Sequence, residues 1–197
     1  MKDKKEKKSI KFRIQPDWHW VTTIFGATIG ISATMSFLSN QLLSGSLVLS
    51  FVALTAIILL GILFDIIGVA ATSADETPFH SMAAKKVPEA REALKLLRRA
   101  ERVSSFCNDV VGDICGVISG SASAVIAARA IVGMESWLGQ LVQLLMSAVV
   151  AGLTVGGKAF GKSIAIKNST MIIHAAAKLI YGVKSMPRWI LETVRRN

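Results

Sequence analysis

Three carboxylates, Asp65, Asp109 and Asp113, stand inside otherwise apolar runs of this 197-residue chain. An ionisable side chain in a membrane helix is costly when it faces lipid, so it usually turns towards a protein interior, a cavity or a partner. Asp109 and Asp113 are one helical turn apart, and that spacing puts both on one helix face, where like charges repel unless a cation, a proton or a lysine compensates them. Hard cations such as magnesium favour clustered oxygen ligands of this kind. Asn108 is adjacent, and Gly112, Gly116, Ser119, Gly120, Ser121 and Ser123 make the following stretch small-sided, so that a neighbouring helix can approach closely. Thr72 and Ser73 can add hydroxyl oxygens from the preceding apolar run. In the alternative reading the small residues only pack helices, and Asp109 and Asp113 sit solvated or capping at the wet end of a span.

Other chemistry is poorly supported. His19, His80 and His174 are far apart and none has a cysteine at metal-ligand spacing, while Cys107 and Cys115 lie in an apolar stretch without a disulfide or zinc pattern. No Ser-His-Asp or Ser-Lys arrangement stands out, and the chain is not expected to be an enzyme. Gly156 to Ser163 spells G-x-x-x-x-G-K-S, yet a phosphate-binding loop must follow a buried strand, and here it follows an apolar span.

The elements that must position these groups follow from composition. Hydrophobic residues make up 52% of the chain and charged ones 18%, against a net charge of +10 and a mean hydropathy of +0.51. An average soluble domain holds about a quarter charged residues, and a nucleic-acid binder would not be this apolar; with Tyr181 the only tyrosine, base-stacking platforms are also scarce. No nucleic-acid partner is expected. The fold expected is an all-α integral membrane protein with four transmembrane helices and amphipathic juxtamembrane helices. Apolar runs extend over 18–43, entered through Trp18-His19-Trp20, then over about 47–74, 103–131 and 137–155. Residues 1–17 form a basic arm, and interfacial helices are expected over 79–102 and 168–186, where apolar residues recur at helical spacing among lysines and arginines.

Basic residues set the orientation. Seven lysines and arginines lie in the N-terminal arm, seven between Lys85 and Arg102, and eight from Lys158 onward, leaving only Arg129 elsewhere. Short cytoplasmic flanks hold such an excess, so a cell-membrane protein with both termini cytoplasmic is expected. The basic segments would attract anionic lipid head groups.

The order of segments over 47–192 resembles the transmembrane domain of the CNNM/CorC family of magnesium transporters. The residues that carry the resemblance are Ser73-Ala74-Asp75-Glu76-Thr77-Pro78-Phe79-His80-Ser81 after the second run, Ala93-Leu94-Lys95-Leu96-Leu97 with Glu101-Arg102, Cys107-Asn108-Asp109-Val110-Val111-Gly112-Asp113, and the frame from Gly157 to Ala165. Asp109 and Asp113 stand where the family has two asparagines, Lys158 where it has an acidic residue, and Gly161 where it has a proline. Pro78 interrupts the first motif, and 18–43 is an additional helix beside a three-helix core. The family's CBS-pair regulatory domain has no counterpart in the sequence, so nucleotide-dependent regulation in cis is not expected.

The resemblance implies a homodimer that carries a divalent cation, magnesium, coupled to sodium, by alternating access, with Ser73, Asp109 and Asp113 lining the ion site beside Asn108 and Thr72. A fixed positive charge at Lys158 would neutralise Asp109 or Asp113. The rival expectation is therefore a non-transporting membrane interaction or scaffold protein whose intramembrane carboxylates pair with Lys158 or carry protons.

Overall fold

The computed structural model describes the backbone of residues 18–196 and the side chains of residues 18–185; the basic arm expected over 1–17 lies outside the described residues. The chain is an all-helical membrane protein, and among the described residues there is no strand. Four helical rods, Trp18–Leu43, Leu47–Ser73, Ala100–Ala130 and Ser136–Lys167, are long and apolar enough to cross a membrane.

Helix α1 (Trp18–Leu43) is the outermost rod, and its most apolar stretch holds no buried residue. Its threonines are accommodated by bonding back to their own helix: the Thr28 and Thr34 hydroxyls donate to the Ile24 and Gly30 carbonyls at 2.8 and 2.9 Å, which removes the cost of an unpaired hydroxyl in an apolar setting. Helix α2 (Leu47–Ser73) starts at Ser46, whose hydroxyl accepts from the Leu49 N–H. It is the central rod. Leu54 and Ile58 pack with Ala122, Ile126 and Val150, while Ile57 packs with Val110, Ile114, Cys115 and Ile118.

The segment expected as one interfacial helix over 79–102 is instead divided into α3 (Thr77–Ala84), α4 (Ala90–Leu97) and α5 (Ala100–Ser104). Lys86 takes φ 61°, and the Lys86 and Val87 N–H groups bond back to the Ala83 and Met82 carbonyls, the pair of bonds that closes a helix through a left-handed residue. Pro88 follows and disfavours helical backbone at Val87. The pieces do not merely lie at an interface: Phe79, Ala93 and Leu97 are buried with Ala70, Ala71, Ala165, Ile173 and Ala177 in a cluster at one end of the bundle. Pro78 falls in the first turn of α3, where no intrahelical N–H is needed.

The third rod continues from α5 through a π-helical segment, Ser105–Gly112, into α6 (Asp113–Ala130). At the far end Arg129 donates to the Gly45 carbonyl at 3.3 Å and ties α6 to the α1–α2 turn. The fourth rod, α7 (Ser136–Lys167), runs well past the expected end near residue 155. Gly157 and Gly161 do not stop it, because they are the places where α7 lies against Ile62 and Ile66 of α2. Helix α8 (Ser169–Arg196) continues beyond the expected limit of 186 and past Pro187, since one proline removes a single ladder donor and need not end a helix.

Glu92 of α4 holds α8 by accepting from Lys184 at 2.7 Å, and also accepts from Lys95 at 2.9 Å. Lys184 first and Lys95 second hold its carboxyl below the ordinary value of 4.5. The tether is therefore at full strength above about pH 4.5 and is lost as the pH falls through the lower folded-state value. Glu92→Gln should speed amide exchange near Lys184, corrected for intrinsic rate, about fivefold at neutral pH, as expected for loss of about 1 kcal/mol, and should lack the loss of protection on acidification that is expected of the parent. Close approach gives a second expectation. A Cβ at Gly61 would stand 2.8 Å from the Cys115 Cβ, and one at Gly68 would meet the Asn108 carboxamide, whereas Gly26 and Gly30 have open space. Gly61→Ala and Gly68→Ala should each cost about 1–3 kcal/mol and lower the thermal midpoint in detergent, while Gly26→Ala and Gly30→Ala should leave it nearly unchanged.

Candidate functional site

Gly61, Asp65 and Gly68 fall on one face of α2 at helical spacing. Gly61 lies against Cys115 and Gly112, and Gly68 against Cys107 and Asn108, so α2 runs antiparallel to the third rod and Asp65 falls opposite Val111, within the π-helical segment. The Asp65 side chain is almost wholly enclosed, at 3% exposure, and its Oδ2 has no donor. Asn108 donates through Nδ2 to the Ser104 hydroxyl at 3.2 Å, while its buried Oδ1, pressed towards Gly68, is likewise without a donor. Both deficits are of the same kind: each is an acceptor that a hydrogen-bond donor or a cation would satisfy.

One turn further along, Lys158 of α7 donates to the Gly112 carbonyl at 3.1 Å and lies 3.5 Å from Asp113 Oδ1. The lysine side chain is 19% exposed and the aspartate 70%. Asp113 opens into a groove of about 590 Å³ between α6 and α7, whose walls include Ser119, Ser123 and Thr154. These three hydroxyls donate to the carbonyls of Gly116, Gly120 and Val150 in their own helices. Their lone pairs remain as acceptors, so the groove suits a cation or water better than an anion.

The five residues expected to form one ion site are not brought together. Asp109 is exposed and accepts from the Ser105 hydroxyl at 2.8 Å, while Asp113 is engaged by Lys158. The π-helical turn preceding Asp113 bonds i to i+5 and widens the helix, but residues four apart still share a face, and the two carboxylates are set apart by their partners, Ser105 for Asp109 and Lys158 for Asp113. Thr72 donates to the Val69 carbonyl, and the Ser73 carbonyl accepts from Ser169; both residues are exposed at the end of α2. By the α2 register they lie about 15 Å along the axis from the level of Asp113. Asn108 packs against Gly68, about one turn along α2 from Asp65. Among the described residues, no three His, Cys, Asp or Glu side chains are grouped to hold a metal ion.

The neighbouring motif residues act locally. Asp75 accepts from the N–H and hydroxyl of Thr77 at 3.1 and 3.0 Å, and these two bonds, the backbone one first, hold its carboxyl below the usual carboxylate value. This caps the approach to α3 and places no oxygen in the bundle. Gly156 to Ser163 lies wholly within α7, so the phosphate-loop spelling has no loop to form. Asp65 was conspicuous in the sequence as a charge in apolar surroundings, and Lys158 as a basic residue where the resembling motif has an acidic one. The π-helical segment that arranges their partners had no comparable signal beyond the small and polar residues from Ser104 to Gly112.

Comparisons of the chain with protein-family profiles, with curated proteins and with solved structures found no match.

Proposed function

We propose that this membrane protein binds a cation within the bilayer and carries it across, with the groove between α6 and α7 as its path and magnesium as the first ion to test. The observation that carries the reading is the hydroxyl-lined groove of about 590 Å³, which cuts into an apolar bundle and reaches Asp113. Asp113 and the hydroxyl oxygens would replace part of the ion's water shell, and the donor-free oxygens of Asp65 and Asn108 would offer a deeper stage. Lys158 is the resident positive charge: it holds the Gly112 carbonyl and the Asp113 carboxylate until an arriving ion displaces it. Because the groove is open to the side, a second copy of the chain would close it, which accords with a homodimer. The excess of lysine and arginine in the basic segments supports a cytoplasmic side for both termini and the 85–102 connection of a cell-membrane protein. Sodium coupling is a further part of this proposal and rests on the CNNM/CorC resemblance.

A second reading has its own observation. Lys158 already occupies the oxygen atoms that an ion would use, so the same geometry can lock α7 to α6 in a non-transporting interaction or scaffold protein.

Magnesium flux into proteoliposomes, measured with sodium gradients of either sign, distinguishes the two. Transport predicts that Asp65→Asn and Asp113→Asn each lower flux about tenfold, the equivalent of about 1.4 kcal/mol. Asp109→Asn should stay within about twofold of the parent, because that side chain is exposed and engaged by Ser105. Lys158→Gln should strengthen apparent ion binding, since it removes the competing charge. A folded parent that carries no magnesium or sodium, with Lys158→Gln destabilised, would establish the scaffold reading instead.

A further inference from the structure

A second groove, of about 510 Å³, lies where α2, the start of α1, the π-helical segment and α8 converge. Its walls are apolar, with Phe64 and Ile67 from α2, Phe106 from the π-helical segment, and Leu179 and Ile180 from α8. At one end it meets Arg99 and Arg102. The Arg102 guanidinium is stacked over the Trp20 ring at 5.0 Å from the centroid, which fixes its position at the rim, and Arg99 is exposed beside it. An adjoining hollow of about 500 Å³ is formed by the turn from Leu97 to Arg102, on which Arg98 and Arg99 are exposed.

Apolar walls that end in a basic rim match an amphiphile with an anionic head. The walls belong partly to membrane-spanning elements and partly to the amphipathic α8, so the groove sits where acyl chains give way to head groups. The exposed guanidinium groups of Arg98 and Arg99 favour a head of net negative charge over a zwitterionic one, and arginine offers phosphate a planar, two-pronged donor. We propose that this groove binds one anionic phospholipid, with an acyl chain along Phe64, Phe106 and Leu179 and the phosphate on Arg99, at the rim that the Arg102–Trp20 stack helps to form. The site is independent of the transport reading. A lipid bound there touches Phe106 and Cys107, the residues immediately before Asn108, and joins α8 to the π-helical segment.

The full chain in neutral detergent would be titrated with short-chain phosphatidylglycerol, short-chain phosphatidylcholine and glycerol phosphate, with thermal midpoint and native mass spectrometry as readouts. Phosphatidylglycerol should bind and raise the midpoint, phosphatidylcholine should bind more weakly, and glycerol phosphate alone should do neither. Arg99→Gln should weaken phosphatidylglycerol binding about fivefold without moving the lipid-free midpoint, since its side chain is exposed. Leu179→Trp, at a side chain that is 71% exposed, should block both lipids by filling the groove. Equal binding of the two lipids, phosphatidylglycerol binding unchanged in both variants, or stabilisation by glycerol phosphate alone would overturn the proposal. So would a lipid-independent dimer that Leu179→Trp dissociates, because the groove would then belong to a second copy.

Discussion

The close approach of α2 to its neighbours is the constraint on which the rest of this bundle depends. Gly61 and Gly68 admit the third rod, and Gly157 and Gly161 of α7 admit the isoleucines of α2 from another side. Lipid tails are as apolar as these side chains, so association must come from packing and from polar contacts satisfied between helices. Glycines supply the first and at the same time bring backbone carbonyls within reach of a lysine. The Lys158 contact to Gly112 is of this kind: it requires α7 near the third rod and a residue at 112 small enough to leave its carbonyl accessible.

Polar groups in the spans are handled in two ways. Threonine and serine hydroxyls are mostly returned to carbonyls of their own helices, as at Thr28, Thr34, Ser119, Ser123 and Thr154, which makes them inexpensive and leaves the helix straight enough to pack. Asp65 Oδ2 and Asn108 Oδ1 are treated differently, since each is buried with no donor among the described residues. A protein interior rarely leaves such acceptors in pairs without a reason, and here they stand where the helix is wound most widely.

The sequence made the four spans readable because each is an apolar run of sufficient length between polar breaks; the limits at Trp18, Leu43 and Leu47 follow directly from that contrast. Lys158 was readable as a partner for Asp109 or Asp113 through the motif resemblance, which puts it where an acidic residue is usual; by charge pattern alone it belongs to the basic tail. The engagement of Asp109 by Ser105 was not, since several polar residues stand in reach along that segment and only the folded geometry selects this one. The end of α7 was misjudged for a related reason: Gly156-Gly157 looks like a stop in isolation, yet the glycine at 157 is a packing position against Ile62. The division of 79–102 depends on Lys86 adopting a left-handed backbone, a conformation no lysine advertises.

The uninterrupted length of α7 has a mechanical meaning. At 32 residues it measures about 48 Å, against a hydrocarbon layer of about 30 Å. One stiff rod therefore carries Lys158 among the buried polar groups and, two turns later, Ala165 in the cluster that seats Phe79, Leu97 and Ile173. A tilt that withdrew the ammonium from Gly112 would swing the far end of the same rod and unseat α8 and α4 with it. Events inside the bilayer and the posture of the basic helices at its surface are thus two ends of a single lever.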